Sequence, residues 1–188
     1  MTSRSKWTQQ ATRLVYENPW MSVHEDEVTA PGGTQHLYGH IHFKNMAVAI
    51  LAVDDSDCVL LVSQSRYTLG IKTVEVPMGG APLHEDPLLA AKRELREETG
   101  FSAQHWTQLM RVHPSNSITD EVGLVFLATG LTPGGSEPED TEDIELLRVP
   151  VDTAIEMATD GTITDAISVL ALLRLALMRT NAGNKSAP

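Results

Sequence analysis

Apolar and polar positions alternate along three segments in the first quarter of the chain, at residues 12–16, 21–28 and 36–43. A period of two is typical of strands that place one face against a core. The Pro-Gly-Gly-Thr sequence at residues 31–34 predicts a hairpin turn between the last two segments. We therefore expect a small N-terminal β subdomain, preceded by a polar stretch, residues 1–11, that we expect to be poorly ordered.

The next apolar segments are continuous instead of alternating. Residues 46–53 and 59–64 are aliphatic and β-branched, and an acidic turn at residues 54–57 separates them. Continuous apolar runs of this length are typical of strands buried on both faces. Further short strands are predicted at residues 73–78, 122–129 and 144–149.

The clearest helix is predicted over residues 86–99. Asp86 is a good N-cap, Pro87 suits the first helical position, and Gly100 can end the helix in the left-handed conformation. Two further helices are predicted at residues 152–159 and 164–178.

Strands interspersed with helices predict an α/β fold with a mixed sheet. We expect three parts: a β subdomain at residues 1–45, a main domain at residues 46–180, and a small, polar, flexible tail at residues 181–188. No internal repeat is visible along the 188 residues.

The composition excludes several classes of protein. With 14 Lys and Arg against 25 Asp and Glu, the net charge is −11, which argues against a nucleic-acid partner. The single cysteine, Cys58, cannot form an internal disulfide and favours a reducing compartment. Neither a secretory signal nor an apolar run of membrane-spanning length is visible, so we expect a cytoplasmic protein without membrane contact.

Three carboxylates share one face of the predicted helix. At about 100° per residue, Glu94, Glu97 and Glu98 fall within an arc of roughly 100°. Mg²⁺ or Mn²⁺ would neutralise such a face, because these ions take hard oxygen ligands and share them with phosphates. The alternative is a solvated face with Lys92, Arg93 and Arg96 as ion-pair partners.

The residues around this face extend the pattern. Reading outward from the helix gives Gly79-x5-Glu85-x7-Arg93-Glu94-Leu95-x-Glu97-Glu98-x-Gly100-Phe101. This resembles the Nudix box, G-x5-E-x7-R-E-U-x-E-E-x-G-U, in which U is a bulky apolar residue. Every fixed position is filled, so the resemblance favours the metal over the solvated face.

The resemblance implies a Nudix fold, with a mixed sheet sandwiched between helices. It implies that water attacks phosphorus in a nucleoside diphosphate linked to another group. Glu94, Glu97 and Glu98 match the family's metal-binding positions, and the carbonyl of Met78 lies where the family often supplies a further ligand. Glu85 and Arg93 match positions that orient the glutamates, and the resemblance places Arg93 and Glu97 in the catalytic machinery.

Outside the box, residues 16–177 resemble the ADP-ribose pyrophosphatase branch of the family. The segments that carry this likeness are Asn18-Pro19-Trp20, Gln64-Ser65-Arg66-Tyr67, residues 75–80, residues 114–121 and residues 161–166. Residues 114–121 differ from the branch, since Asn116-Ser117 replaces the usual Pro-Gly. This loop lies near the sugar side in the branch, so the sugar is not fixed by the motifs.

The branch also implies substrate contacts. Arg66 could donate a bidentate hydrogen bond to phosphate, or simply lie at a strand end. Glu75 could accept from the nucleoside, or pair with Arg66. Trp20 and Tyr38 correspond roughly to aromatic residues that stack on the base, although half-buried core roles are the alternative.

Hydrolysis also needs a general base. The box glutamates are assigned to metal, so a further carboxylate is expected. The branch places such carboxylates on an acidic loop, where Glu142 aligns best among six acids in residues 137–145. Glu121 is the other candidate, and a solvated acidic loop is the alternative.

These inferences predict a Mg²⁺-dependent hydrolase of nucleoside diphosphate sugars, most directly of ADP-ribose to AMP and ribose 5-phosphate. GDP-mannose, another nucleoside diphosphate sugar or a dinucleotide is the alternative substrate. A nucleotide-sugar sensor without turnover is the alternative class. The branch further implies a homodimer formed through the N-terminal subdomain.

Overall fold

The structure of the chain is a computed structural model that describes residues 5–135 and 143–185, with side chains up to residue 181. The strands are β1 Thr8–Glu17, β2 Met21–Thr29, β3 Gln35–Phe43, β4 Asn45–Val53, β5 Cys58–Arg66, β6 Ile71–Glu75, β7 Met78–Pro82, β8 Phe101–Val112, β9 Gly123–Pro133 and β10 Glu145–Pro150. The helices are α1 Pro87–Thr99, α2 Val151–Thr159 and α3 Ala166–Lys185. Among the described residues, no helix has the length and apolar character needed to cross a membrane.

The described residues form two compact units. The first comprises the described part of Met1–Asn45 together with Ser115–Glu121. The second comprises Met46–Pro114 and the described part of Val122–Pro188. The loop at Ser115–Glu121 thus groups with the first unit, although it falls within residues 46–180, the range predicted for the main domain.

The first unit is a three-stranded antiparallel sheet in the order β1-β2-β3. Gly33, with φ of 88°, closes the β2–β3 turn as predicted, in a conformation that glycine adopts without strain. The expectation of poor order over residues 1–11 is wrong from Thr8 onward, because β1 pairs with β2 from Thr8 opposite Thr29. The strand predicted at residues 12–16 is part of β1, but every residue of β1 is exposed, so this strand places no face against a core in the described chain.

The loop Ser115–Glu121 extends this sheet beside β3. Ile41 donates its N–H to the carbonyl of Ile118 at 2.9 Å, and Asp120 returns its N–H to the carbonyl of Ile41 at 3.3 Å. The Asp120 carboxylate also accepts the N–H of Phe43 at 2.9 Å and pairs with His42. Main-chain pairing and one carboxylate therefore fix the loop within the first unit.

The second unit is built on a seven-stranded mixed sheet. Its main order is β10-β5-β4-β9-β8, with β6 paired to β5 and β7 paired to β4. Strands β4 and β9 are parallel, whereas β5 pairs antiparallel with β4, β6 and β10.

Helices cover both faces of this sheet, as the resemblance implied. On one face, Leu95 of α1 packs in a core with Ile50 and Phe126. On the other face, Leu172 of α3 and Ala154 of α2 pack in a core that includes Leu51, Leu61 and Val125. Because alternate residues of β4 and β5 point to opposite faces, both strands are buried throughout their centres.

Two details of the sheet differ from the prediction. Residues 73–78 do not form one strand, because β6 ends at Glu75 and β7 begins at Met78. Pro77 has no N–H to continue a ladder, and the chain changes its partner there from β5 to β4. Strand β8 was not predicted, because all of its residues are exposed or only half-buried and they show no continuous apolar run.

Candidate active site

Helix α1 places its acidic face beside the chain at residues 78–80. The helix begins as predicted, with the Asp86 carboxylate accepting the N–H of Leu88 at 2.9 Å and Pro87 in the first position. It ends as predicted at Gly100, whose φ of 73° lets its N–H reach the carbonyl of Arg96 at 2.8 Å. These caps fix the length of the helix, and the burial of Leu95 fixes its rotation.

Glu98 is buried although it is ionisable, with 6% of the residue exposed. Its Oε2 accepts the N–H of Met78 at 3.0 Å. A hydrogen bond to a charged acceptor offsets part of the cost of burying that carboxylate. The same bond ties the C-terminal half of α1 to the start of β7.

Gly79 leaves the space that the Glu94 carboxylate occupies. A Cβ atom built on Gly79 would lie 2.0 Å from Glu94 Cδ and 2.3 Å from each carboxylate oxygen. Gly79 does not have a positive φ, so its backbone is accessible to other residues. The missing side chain, and not backbone freedom, is what this position needs.

Arg93 holds two of the three glutamates. Its Nη1 donates to Glu94 Oε1 at 2.8 Å and to Glu97 Oε2 at 3.1 Å, while Nη2 donates to the carbonyl of Gly80 at 3.0 Å. Glu85 lies 3.7 Å from the same guanidinium. Partial burial by itself would lower the pKa of Arg93, but the carboxylates of Glu94 and Glu97 outweigh it and raise this pKa.

We expect Arg93→Lys to lower kcat by about 10- to 100-fold, because one ammonium cannot reproduce the planar contacts to two carboxylates and a carbonyl. The measurement is steady-state turnover at saturating Mg²⁺, with thermal unfolding to check the fold. Arg174→Lys, at an exposed position of α3, is the matched control and should leave kcat unchanged. Equal activity of the two variants would contradict this role for Arg93.

The donor chemistry of the acidic face fits a hard divalent cation. Glu94 and Glu97 are largely buried, with 13% and 23% of their side chains exposed, and both supply carboxylate oxygens. In the structure, Arg93 donates a hydrogen bond to one oxygen of each of these carboxylates. Within the residues that the structure describes, no three His, Cys, Asp or Glu side chains form a ready metal cluster. Gly79 has no side chain of its own, and this leaves the space that the Glu94 carboxylate occupies. That space, called here the Gly79 cradle, is the feature that fits a metal-ligand site.

A second charged group lies in the same unit. Arg66 donates from Nε to Glu75 Oε1 at 3.0 Å, and its Nη2 binds the other Glu75 oxygen. Glu75 is 3% exposed and also accepts from the Thr73 hydroxyl at 2.6 Å. The sequence left two roles open for Glu75, and the pair with Arg66 is the one present here. Thr73 was missed, although residues two apart on a strand share a face.

Arg66 and Glu75 line a pocket of about 290 Å³ together with Thr164 and Asp165. The hydrogen bond from Arg66 to Glu75 raises the pKa of Arg66, and the charges of Glu98 and Asp165 add to this effect. Burial alone would raise the pKa of Glu75, but its bonds to Arg66 and Thr73 lower it. Both groups are therefore ionised at neutral pH, and the charge of Glu98 contributes to stabilising the charged form of Arg66.

Comparison with known proteins agrees with this geometry. Residues 43–170 match the NUDIX domain, which is more than half of the chain. The chain belongs to the NUDIX family. Residues 7–41 match a second family, described as the nucleoside diphosphate sugar hydrolase N-terminal domain. The chain is accordingly a Nudix hydrolase, and this family generally uses divalent metal cations.

Individual Nudix relatives extend over most of the chain. An ADP-ribose pyrophosphatase of Bacillus subtilis is 35% identical over 89% of this chain and 91% of its own length. An ADP-ribose pyrophosphatase of Mycobacterium tuberculosis is 32% identical over 85% of this chain and 78% of its own. A crystal structure of an ADP compounds hydrolase superposes with a TM-score of 0.85 over 97% of this chain and 99% of its own, at 22% identity, which shows the shared fold.

The remaining predicted site residues do not lie on the Nudix helix. Trp20, Tyr38 and Glu121 all belong to the first unit. Trp20 is 66% exposed, and the Tyr38 hydroxyl donates to the carbonyl of Ser117. Glu142, the first candidate for the base of this Nudix enzyme, lies outside the described residues.

Asp143 is the described acid that follows this segment. Its Oδ1 accepts the N–H of Ser65 at 2.9 Å, and its Oδ2 accepts from the Ser65 hydroxyl at 3.0 Å and lies 3.2 Å from Lys72 Nζ. The bonds from Ser65 and Lys72 lower the pKa of Asp143 to about 2. Asp143 therefore anchors the chain ahead of β10 to the β5–β6 hairpin.

We expect Asp143→Asn to lower the thermal midpoint by about a few degrees at neutral pH, because an exposed carboxylate contributes modestly. The folded pKa lies below the unfolded value of about 3.9, so this contribution is complete above that value and is lost as the pH falls towards 2. Thermal scans from pH 2 to 8 should show the difference between the wild type and Asp143→Asn shrinking below about pH 4 and closing near pH 2. Asp55→Asn, in the β4–β5 turn, is the control, and a difference that is constant with pH would contradict the prediction.

Proposed function

We propose that the protein hydrolyses the diphosphate bond of nucleoside diphosphate sugars with Mg²⁺, or with Mn²⁺ in its place, and that ADP-ribose is its substrate, giving AMP and ribose 5-phosphate. The main support for the proposal is the acidic face of α1. There the Glu94 carboxylate fills the space beside Gly79, and the buried Glu98 carboxylate accepts the N–H of Met78. The substrate class is supported by the names of the relatives and by the match of residues 7–41.

In this proposal Glu94, Glu97 and Glu98, with the carbonyl of Met78, hold the divalent cation. When bound, the cation neutralises the diphosphate and activates water for attack on phosphorus. Arg93 positions Glu94 and Glu97 through its two hydrogen bonds, and Glu85 lies on the same guanidinium. Glu98, fixed by the amide of Met78, keeps its carboxylate in one orientation.

We further propose that Arg66 and Glu75 contact the substrate from their shared pocket. Glu75 is buried and holds Arg66 in a bidentate pair, so the guanidinium has a fixed direction before any phosphate arrives. Trp20 and Tyr38 remain proposed contacts of the base, supported by the exposure of Trp20 and the 37% exposure of Tyr38. Glu142 and Glu121 both remain candidates for the general base.

A homodimer is the proposed assembly. The described strands of the first unit expose the apolar side chains of Leu14, Val15, Tyr16 and Leu37, each by more than half. Exposed apolar side chains on a small sheet support the proposal that a second copy of the chain covers part of it. Light scattering of the purified protein should give twice the mass of 20.5 kDa, and a monomer at micromolar concentration would overturn this part. Cytoplasmic location and the lack of a nucleic-acid partner stay predictions from composition.

The test of the reaction is a substrate panel. ADP-ribose, GDP-mannose, a dinucleotide polyphosphate and a nucleoside monophosphate are each assayed with Mg²⁺ and with Mn²⁺ for released nucleoside monophosphate. We expect ADP-ribose to have the highest kcat/KM and the nucleoside monophosphate none. Preference for GDP-mannose would replace the substrate, and binding of ADP-ribose without turnover would support a sensor and overturn the enzyme proposal.

A further inference from the structure

Residues 75–78 connect β6 to β7 and carry parts of the proposed site at both ends. Glu75 binds Arg66 at one end, and Met78 donates its N–H to Glu98 at the other. Proline has no N–H, so Val76 and Met78 supply the main-chain donors of residues 76–78. The groups that accept these two N–H bonds fix where the connection lies relative to α1.

The N–H of Val76 is bound by a side chain from the last helix. Ser168 Oγ accepts this N–H at 3.0 Å, across 92 residues of sequence. Val76 and Ser168 are both 0% exposed, so water does not compete for either group. A buried amide needs a partner, and Ser168 provides one from α3.

The direction of this bond is set by Asp165. The Ser168 hydroxyl donates to Asp165 Oδ2 at 2.8 Å, and the same oxygen accepts the Ser168 N–H at 2.8 Å. Because the carboxylate takes the hydroxyl hydrogen, the Ser168 oxygen faces Val76 as an acceptor. Polarisation by the carboxylate strengthens that acceptor.

Three elements therefore hold three consecutive residues of the connection. Helix α3 holds Val76 through Ser168, β4 holds Pro77 through the N–H of Ile50 on its carbonyl at 2.8 Å, and α1 holds Met78 through Glu98. Ile50 acts through its main chain, and Glu98 belongs to the proposed cation site. Ser168 is thus the partner whose side chain can be changed without altering the cation ligands.

We propose that Ser168 is a positioning residue for the reaction. By fixing the Val76 amide, it sets both the Glu75–Arg66 pair and the place of Met78 against Glu98. This inference rests on the proposed function. It requires that a substitution at a fully buried residue of α3 weakens divalent-cation binding and slows turnover.

The experiment compares Ser168→Ala, which removes the acceptor, with Ser168→Thr, which keeps a hydroxyl, and with Leu175→Ala, a core truncation seven residues along the same helix. Mn²⁺ affinity is measured by electron paramagnetic resonance without substrate, amide exchange at Val76 and Met78 by NMR, and kcat and KM with ADP-ribose. For Ser168→Ala we expect Val76 exchange to rise and Mn²⁺ affinity and kcat to fall, each by about tenfold, the size of one lost hydrogen bond. KM should change less than kcat, and Ser168→Thr should restore all three quantities.

The outcomes separate this inference from the proposed function. If Leu175→Ala changes Mn²⁺ affinity and Val76 exchange as much as Ser168→Ala does, Ser168 acts only through stability and the inference is overturned. If the wild type turns over no nucleoside diphosphate sugar but Ser168→Ala still loses Mn²⁺ affinity, the proposed function fails while the positioning of the cation site stands. Should Ser168→Ala not fold, Ser168→Cys, which keeps a weaker acceptor, should show the same changes at smaller size, and unchanged Mn²⁺ affinity there would also overturn the inference.

Discussion

Glu98→Gln should reduce metal-dependent turnover by at least about 100-fold and leave the fold intact. The glutamine carbonyl can still accept the N–H of Met78, which the Glu98 carboxylate now accepts at 3.0 Å, so the contact between α1 and β7 survives. The negative charge is lost, however, and a neutral amide is a poor ligand for a hard divalent cation. Steady-state turnover across a Mg²⁺ titration, together with circular dichroism and thermal unfolding, measures both halves of this expectation.

The matched control is Glu156→Gln, at an exposed position of α2 on the opposite face of the sheet. It makes the same chemical change on a helix and should leave turnover and its Mg²⁺ dependence unchanged. Full activity of Glu98→Gln with Mg²⁺ would remove Glu98 from the cation site. An equal loss of activity in both variants would show that the loss follows from the change in net charge and not from the removal of a cation ligand.

Local sequence signals predicted the parts of the site that lie close together in sequence. Asp86, Pro87 and Gly100 set the ends of α1 through capping chemistry that acts over a few residues. The spacing of the glutamates then placed them on one face, because the helical period is fixed by geometry. The buried strands β4 and β5 could also be predicted, because helices cover both of their faces and their apolar runs are continuous.

Contacts between distant residues could not be predicted in this way. Nothing near Ser168 in the sequence indicates that its hydroxyl meets Val76, and nothing in residues 115–121 indicates that Ile118 pairs with Ile41. Strand β8 was not predicted because its apolar residues are only partly buried and are interrupted by polar ones, while its ladder is formed with β9, which is distant in sequence. Tertiary pairing decides such elements, and periodicity along one segment does not report it.

Gly79→Ala should lower turnover by about 10- to 100-fold with little change in stability, and it tests the cradle directly. The new Cβ would lie 2.0 Å from Glu94 Cδ, a separation that no pair of non-bonded carbons tolerates. The obstacle is the far end of a flexible side chain, so Glu94 swings away and the backbone remains in place. Gly79 does not have a positive φ, and alanine even lowers the entropy of the unfolded chain.

The control for this substitution is Gly32→Ala, because a Cβ at Gly32 meets nothing within 4 Å. It should leave turnover and Mn²⁺ affinity unchanged. The double variant Gly79→Ala with Glu94→Asp tests whether the loss of turnover comes from the steric clash. The aspartate keeps the negative charge, and its shorter side chain leaves room for the new methyl group. If the clash causes the loss, the effects of the two substitutions will not add, since both displace the same carboxylate. Additive effects, or full activity of Gly79→Ala, would contradict the role of Gly79. Unfolding of Gly79→Ala would also contradict it, because the added side chain would then displace the backbone at this position and not Glu94.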